Sequence, residues 1–168
     1  DEPRMYFASD TDDVDWMIDQ IQSRVSAANF HGIGFSLGAN LLCFWLAKGV
    51  NRRALKSGIA ISPPLDLSRT SKVFDTELFG IYGKSTRASI IKKAEKKARQ
   101  YPCLFRLDQA RQAKTIFEYD DAVTAPIHGY SGAKEYYRKS SACHVLNEIN
   151  ASLLVLSAVL APLIAPTN

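Results

Sequence analysis

Gly34-Phe35-Ser36-Leu37-Gly38 stands between an apolar run, Ala27-Ala28-Asn29-Phe30-His31-Gly32-Ile33, and a helical run from Ala39 to Lys48. Strand, sharp turn, helix is the context in which a G-x-S-x-G pattern carries chemistry. Such a turn strains the serine backbone at the tip of a strand. Glycines two residues to either side are expected to leave room that a Cβ would fill. The following helix aims its unpaired N–H groups at the serine, and backbone N–H groups there can stabilise an oxyanion. Ser36 is therefore the candidate nucleophile, and the N–H of Leu37 the candidate oxyanion donor. A glycine-rich turn before a helix is also common without such chemistry, so the flanking pattern carries the reading rather than the pentapeptide alone.

Working outward, residues 28–35 read as a strand in which Gly32 permits close approach of a neighbour. The helix that follows carries Leu41, Leu42, Phe44, Trp45 and Leu46, apolar on nearly every side, as expected of a buried helix. Gly58-Ile59-Ala60-Ile61-Ser62 is a short apolar strand that Pro63-Pro64 ends. This βαβ rhythm predicts parallel strands with helical crossovers. Upstream, Asp10-Thr11-Asp12-Asp13 offers N-cap chemistry to a helix reaching about Arg24, with Val14, Met17, Ile18, Ile21 and Val25 at helical spacing.

Residues 65–147 lose the rhythm and read as a helical insertion, a cap. Helices are expected over Arg87 to Gln100, Leu107 to Ala113, Ala133 to Ser140 and His144 to Ile149, the last leading into a strand, Ser152 to Ser157. The 87–100 helix has Ala88, Ile91, Ala94 and Ala98 on one side and four lysines over much of the rest. That is the pattern of a solvated lid helix, or of a contact with anionic headgroups at a membrane surface.

The chain has 168 residues, 46% hydrophobic and 23% charged, with net charge +4. These values suit one globular domain with a sizeable core. Charge is uneven. Seven acids and one base, Arg4, lie in residues 1–19, while ten bases face Glu95 and Asp108 in residues 84–114. No aromatic interleaving accompanies the basic block, which argues against a nucleic-acid partner. Cys43, Cys103 and Cys143 are scattered and odd in number, favouring free thiols in a reducing compartment, the cytoplasmic side, over disulfides or a metal site. Cys43 reads as core packing. No signal peptide is evident, and the run from Leu153 to Ile164 is too short to span a bilayer. The absence of an initial methionine and the apolar segment close to the end give both termini the look of cut ends.

Five blocks occur in order: Gly34-Phe35-Ser36-Leu37-Gly38-Ala39-Asn40, Ala60-Ile61-Ser62-Pro63-Pro64-Leu65-Asp66-Leu67, Thr115-Ile116-Phe117-Glu118-Tyr119-Asp120, Thr124-Ala125-Pro126-Ile127-His128-Gly129-Tyr130 and Glu135-Tyr136-Tyr137. Together they resemble the YheT-like branch of the α/β-hydrolase superfamily, the abhydrolase-domain esterases and lipases. The resemblance implies a partial α/β-hydrolase fold, a mostly parallel sheet with flanking helices, in one domain with a cap insertion at about 68–147. It implies a serine hydrolase acting on small-molecule carboxylic esters, often lipid-like, with no metal and no organic cofactor. Ser36 would attack the ester carbonyl, a histidine would take its proton, and the Leu37 N–H with one upstream N–H would hold the oxyanion before water releases the acyl group.

Only part of that machinery matches. Ala161 stands where the resemblance calls for the acid, and the family histidine lies past the end of this chain. His31 is five residues before Ser36, about 16 Å at strand rise, and points elsewhere. His128 and His144 are weak substitutes as bases, and Asp120 and Asp121 as acids. Glu118 and Asp120 are expected to brace the insertion, for instance through Arg106 or Arg138. Asp66 reads as a turn or helix cap. The chain alone is thus expected to be nearly inactive, and the alternative is a non-catalytic binding or scaffold protein lacking the acid. The nucleophile strand would have an open apolar edge, inviting self-association or a companion segment.

Overall fold

The computed structural model describes residues 3–25, 29–76 and 81–157. Its elements run α1 (Thr11–Gln22), β1 (Phe30–Phe35), α2 (Leu37–Lys48), β2 (Leu55–Ile61), α3 (Leu67–Thr76), α4 (Ile81–Gln100), α5 (Leu107–Gln112), α6 (Ile116–Tyr119), α7 (Ala125–Ile127), α8 (Ala133–Ser140) and β3 (Ser152–Leu156). They divide into two compact units. Of the described residues, one holds those within 7–66 and 140–157, the other those within 3–6 and 67–139.

The first unit is a three-stranded parallel sheet in the order β1-β2-β3. It is the α/β architecture expected, with β1 as an edge strand among the described residues. The face of the sheet toward α2 is almost bare along the middle of β1 and β2. Gly32, Gly34, Gly58 and Ala60 fall on it at a spacing of two, paired as Gly32↔Gly58 and Gly34↔Ala60. Against this face lies α2, whose Trp45 and Leu46 join Ile18 of α1 and Leu55 of β2 in one buried cluster. Cys43 joins Ala39, Ala60 and Ala142 in another, and burial pushes its thiol up to about 11. Core packing is the place the sequence assigned it.

Asp15 ties α1 to the far end of α2. Its carboxylate accepts from Trp45 Nε1 at 2.8 Å, Val50 N at 3.0 Å and Asn51 N at 2.9 Å. Asp10 occupies the N-cap position of α1 but makes no side-chain cap bond there, and Met17, Ile21 and Val25 are exposed, so only part of the predicted apolar stripe packs. The helix expected from His144 to Ile149 is instead two short 3₁₀ turns, Ala142–His144 and Leu146–Glu148.

The second unit is helical. Its core holds Ala94 of α4, Ala110, Ala113, Tyr119, Ala122 and Val123. The exposed Lys92, Lys93 and Lys96 occupy the rest of α4, which begins at Ile81 rather than Arg87. Thr115-x-x-Glu118 is a capping signature. Thr115 Oγ1 accepts from Glu118 N, while the Glu118 carboxylate accepts from Lys114 N. Arg106 pairs with Asp121, not with Glu118 or Asp120. Asp120 opens a π-helical turn, Asp120–Thr124, and accepts from Thr124 Oγ1 at 2.6 Å and Tyr137 Oη at 2.7 Å. Burial pushes its carboxyl up to about 6, with the Asp75 charge adding to the rise and the two hydroxyl donors opposing it.

This gives a signed pH dependence. Between the ordinary carboxyl value of 3.8 and about 6 the folded chain binds more protons than the unfolded chain. Stability therefore falls as pH rises through that window and stays lower above it. Asp120→Asn keeps an acceptor for one hydroxyl and removes the buried charge. Urea titrations at pH 4.5 and 7.5 should show the parent losing on the order of 2 kcal/mol across the window, and the variant losing much less.

Candidate functional site

Ser36 sits between β1 and α2 with φ 50 and ψ −123, a backbone region that non-glycine residues enter only under constraint. The constraint is visible. Ser36 N donates to Ile61 O on β2 at 2.9 Å, and Ser36 O accepts from Ala39 N at 2.9 Å and Asn40 N at 3.2 Å. The residue is thus held by the sheet on one side and is already the first acceptor of α2 on the other. Its side chain lies on an exposed residue. Leu37 opens α2, and a first-turn N–H has no acceptor within its own helix.

The two flanking glycines differ. A Cβ on Gly34 would stand 2.6 Å from Ala39 Cα and 2.6 Å from Gly38 O, both backbone. No side chain fits there while α2 keeps its place. A Cβ on Gly38 would meet nothing within 4 Å. Room for the turn therefore requires the first glycine only, which corrects the symmetric expectation.

Behind the turn lies a polar hub that the sequence reading left unassigned. Asn40 is fully buried. Its Nδ2 donates to Ala8 O at 2.9 Å and Ser140 O at 3.0 Å, and its Oδ1 accepts from Ala142 N at 3.0 Å. Ser9 Oγ donates to Ser140 Oγ at 2.7 Å beside it. A lone asparagine inside an otherwise apolar helix was the available signal, since buried amides must find partners.

The remaining candidates are dispersed. His31 lies on the sheet face opposite α2, its Nδ1 2.7 Å from Ser57 Oγ. His144 is exposed at the end of a 3₁₀ turn. His128 belongs to the helical unit; burial holds its pKa below the ordinary value, with the Arg4 charge adding and a hydrogen bond to the Met5 backbone opposing. Asp120 and Asp121 serve the helical unit as described above. Asp66 precedes α3, and its charge adds to the burial that raises the Cys143 thiol. Ala161 lies outside the described residues. Among the described residues, no group of His, Cys, Asp and Glu is arranged to hold a metal ion, and no helix is long and apolar enough to cross a membrane.

Similarity to known proteins points one way. The chain is 31% identical over 157 residues to YheT of Escherichia coli (strain K12), which is named as a candidate esterase; the match covers 92% of this chain and 46% of YheT. It is 22% identical over 163 residues to a monoacylglycerol lipase of Saccharomyces cerevisiae, covering 93% of this chain and 36% of the lipase. It is 26% identical over 157 residues to the phospholipase ABHD3 of Mus musculus, covering 93% and 38%. The chain thus spans less than half the length of these relatives. No family model and no solved structure matches it.

The unequal glycines make a paired test. Gly34→Ala forces α2 off the sheet and should lower stability by about 2–3 kcal/mol. Gly38→Ala should raise it by up to about 1 kcal/mol, the ordinary gain for that change within a helix. Denaturant midpoints of the two variants and the parent check both signs.

Proposed function

We propose, from the premise that this chain belongs to the α/β-hydrolase branch of YheT-like and abhydrolase-domain proteins, that Ser36 is the nucleophile of a serine hydrolase acting on carboxylic esters, lipid-like acyl esters among them. The observation that carries the reading is the backbone of Ser36: φ 50 and ψ −123 at the carboxyl end of a parallel strand, with a helix starting at the next residue. Names of the relatives, esterase, monoacylglycerol lipase and phospholipase, favour ester substrates over other acyl compounds.

In this reading Ser36 Oγ adds to the ester carbonyl carbon as a base takes its proton. The carbonyl oxygen, now negative, accepts from the Leu37 N–H at the start of α2, where the helix field favours it. The tetrahedral species expels the alcohol, which takes up the proton. Water then adds to the acyl-Ser36 ester and releases the acid. The base and its orienting acid are assigned to the full-length protein and to no residue of this chain. The structural contribution of the present segment is the nucleophile, one oxyanion donor and the rigid support for both.

The test is active-site labelling of the full-length protein with a fluorophosphonate. Ser36 should carry the adduct in a peptide map, and Ser36→Ala should lose both the adduct and at least about 10⁴-fold of esterase turnover. A folded parent that takes no label at Ser36 would overturn the assignment in favour of a non-catalytic binding role.

A further inference from the structure

Three non-glycine residues among those described have positive φ: Ser36 at 50, Ser62 at 50 and Cys103 at 67. Cys103 lies in an exposed turn of the helical unit. The two serines are related to each other by the sheet. β1 and β2 run parallel, and their last paired residues are Phe35 and Ile61, so Ser36 and Ser62 each come one step beyond the end of neighbouring strands. Each amide is tied to the carbonyl that ends the next strand over. Ser36 N donates to Ile61 O at 2.9 Å, and Ser62 N donates to Leu156 O at 2.7 Å. Neighbouring strands lie about 4.8 Å apart, so Ser62 leaves the carboxyl edge of the sheet within one strand spacing of Ser36.

A serine is an unfavourable choice for the backbone at position 62. Glycine takes a positive φ without strain, and a residue before proline is normally held to extended backbone of negative φ. Pro63, which follows, is fully buried, and Pro64 is buried too, so the chain beyond Ser62 has little freedom to relax. At Ser36 the same unfavourable φ coincides with a hydroxyl that the chemistry needs. At Ser62, half-buried on the same edge, a hydroxyl is again what the residue has and glycine lacks. It can donate one hydrogen bond and accept two.

We propose that Ser62 is a substrate-positioning residue: its hydroxyl hydrogen-bonds the bound ester beside the scissile bond and holds the carbonyl carbon over Ser36. The proposal rests on the assignment of Ser36 as nucleophile. It deepens that assignment by naming the strand next to the nucleophile strand as the second wall of the reacting centre. No proton is transferred by Ser62, and no bond to it forms or breaks.

Opposite signs on stability and activity make the test. Ser62→Gly relieves the backbone and removes the hydroxyl; Ser62→Ala removes the hydroxyl alone. In the full-length protein, Ser62→Gly should melt at or above the parent temperature. Fluorophosphonate should still label Ser36 in both variants, to an extent within about threefold of the parent, because the nucleophile is intact. With a p-nitrophenyl ester and a monoacylglycerol as substrates, both variants should lose roughly tenfold in kcat/KM, the size of one hydrogen bond. Ser62→Asn should recover part of the loss, since asparagine tolerates positive φ and restores a polar group. A labelled parent whose Ser62→Gly variant is stabilised with kcat/KM unchanged would overturn the role of Ser62 and leave Ser36 standing. A parent unlabelled at Ser36 would overturn both.

Discussion

Helix α2 lies against a patch of sheet that carries almost no side chains, and the rest of the described α/β unit depends on that contact. Added Cβ atoms would stand 2.9 Å from Leu42 Cδ1 at Gly32, 2.6 Å from Ala39 Cα at Gly34 and 3.0 Å from Leu46 Cδ1 at Gly58, all atoms of α2. The helix is therefore closer to the strands than a β-branched face would allow. Its own larger side chains, Trp45 and Leu46, fill the space beside the bare patch. Close packing of this kind gathers many weak dispersion contacts and leaves no slack for a shift. Asn40 then fixes the helix along its axis by bonding three backbone groups of residues 8, 140 and 142. A slide of α2 would leave all three buried and unpaired, at the cost that unsatisfied buried polar groups carry.

The opposite face of the same sheet has the reverse character. Ile33, Ile59 and Leu154 are in register across the three strands, as are Phe35, Ile61 and Leu156. Ile33 is 61% exposed, Phe35 65%, Leu154 52% and Leu156 46%. Parallel sheets bury both faces as a rule, and an apolar plate in water forfeits about 25 cal/mol for each Å² left uncovered. One face of the sheet thus packs against the core of the described unit, while the other leaves Ile33, Phe35, Leu154 and Leu156 exposed. On β1 and β2 the alternation of period two separates them: Gly32, Gly34, Gly58 and Ala60 toward α2, and Ile33, Phe35, Ile59 and Ile61 away from it.

Much of this was legible because local chemistry and global fold agree. The strand-turn-helix around Ser36 is announced by glycine spacing and by an apolar run on either side. The parallel sheet follows from the βαβ rhythm, and the end of β2 from Pro63-Pro64. The pair Thr115 and Glu118 carries the capping spacing that marks the start of α6. Other features were beyond local reading. Asp10 has every property of an N-cap, but that propensity did not decide its side-chain bonding. Arg106, expected to meet Glu118 or Asp120, meets Asp121 instead, because the adjacent carboxylates Asp120 and Asp121 differ only in the direction the helix turn gives them. Gly38 resembles Gly34 in sequence, and only three-dimensional packing tells a glycine that is needed from one that is merely allowed.

The strain at the turn and the stability of the core are held by one set of contacts. Ser36 keeps its unfavourable backbone because its amide is claimed by Ile61 and its carbonyl by Ala39 and Asn40. Those acceptors and donors stay in place because α2 cannot lift from the bare patch. A strained residue persists only where its surroundings over-determine it, and here the surroundings are the packing of α2 itself. Substitutions at Gly32 or Gly58, which touch the turn nowhere, would therefore act on the geometry of Ser36 as well as on stability, through the position of one helix. The segment works as a rigid mount, in which the precision of the exposed hydroxyl is inherited from the tightness of the interior behind it.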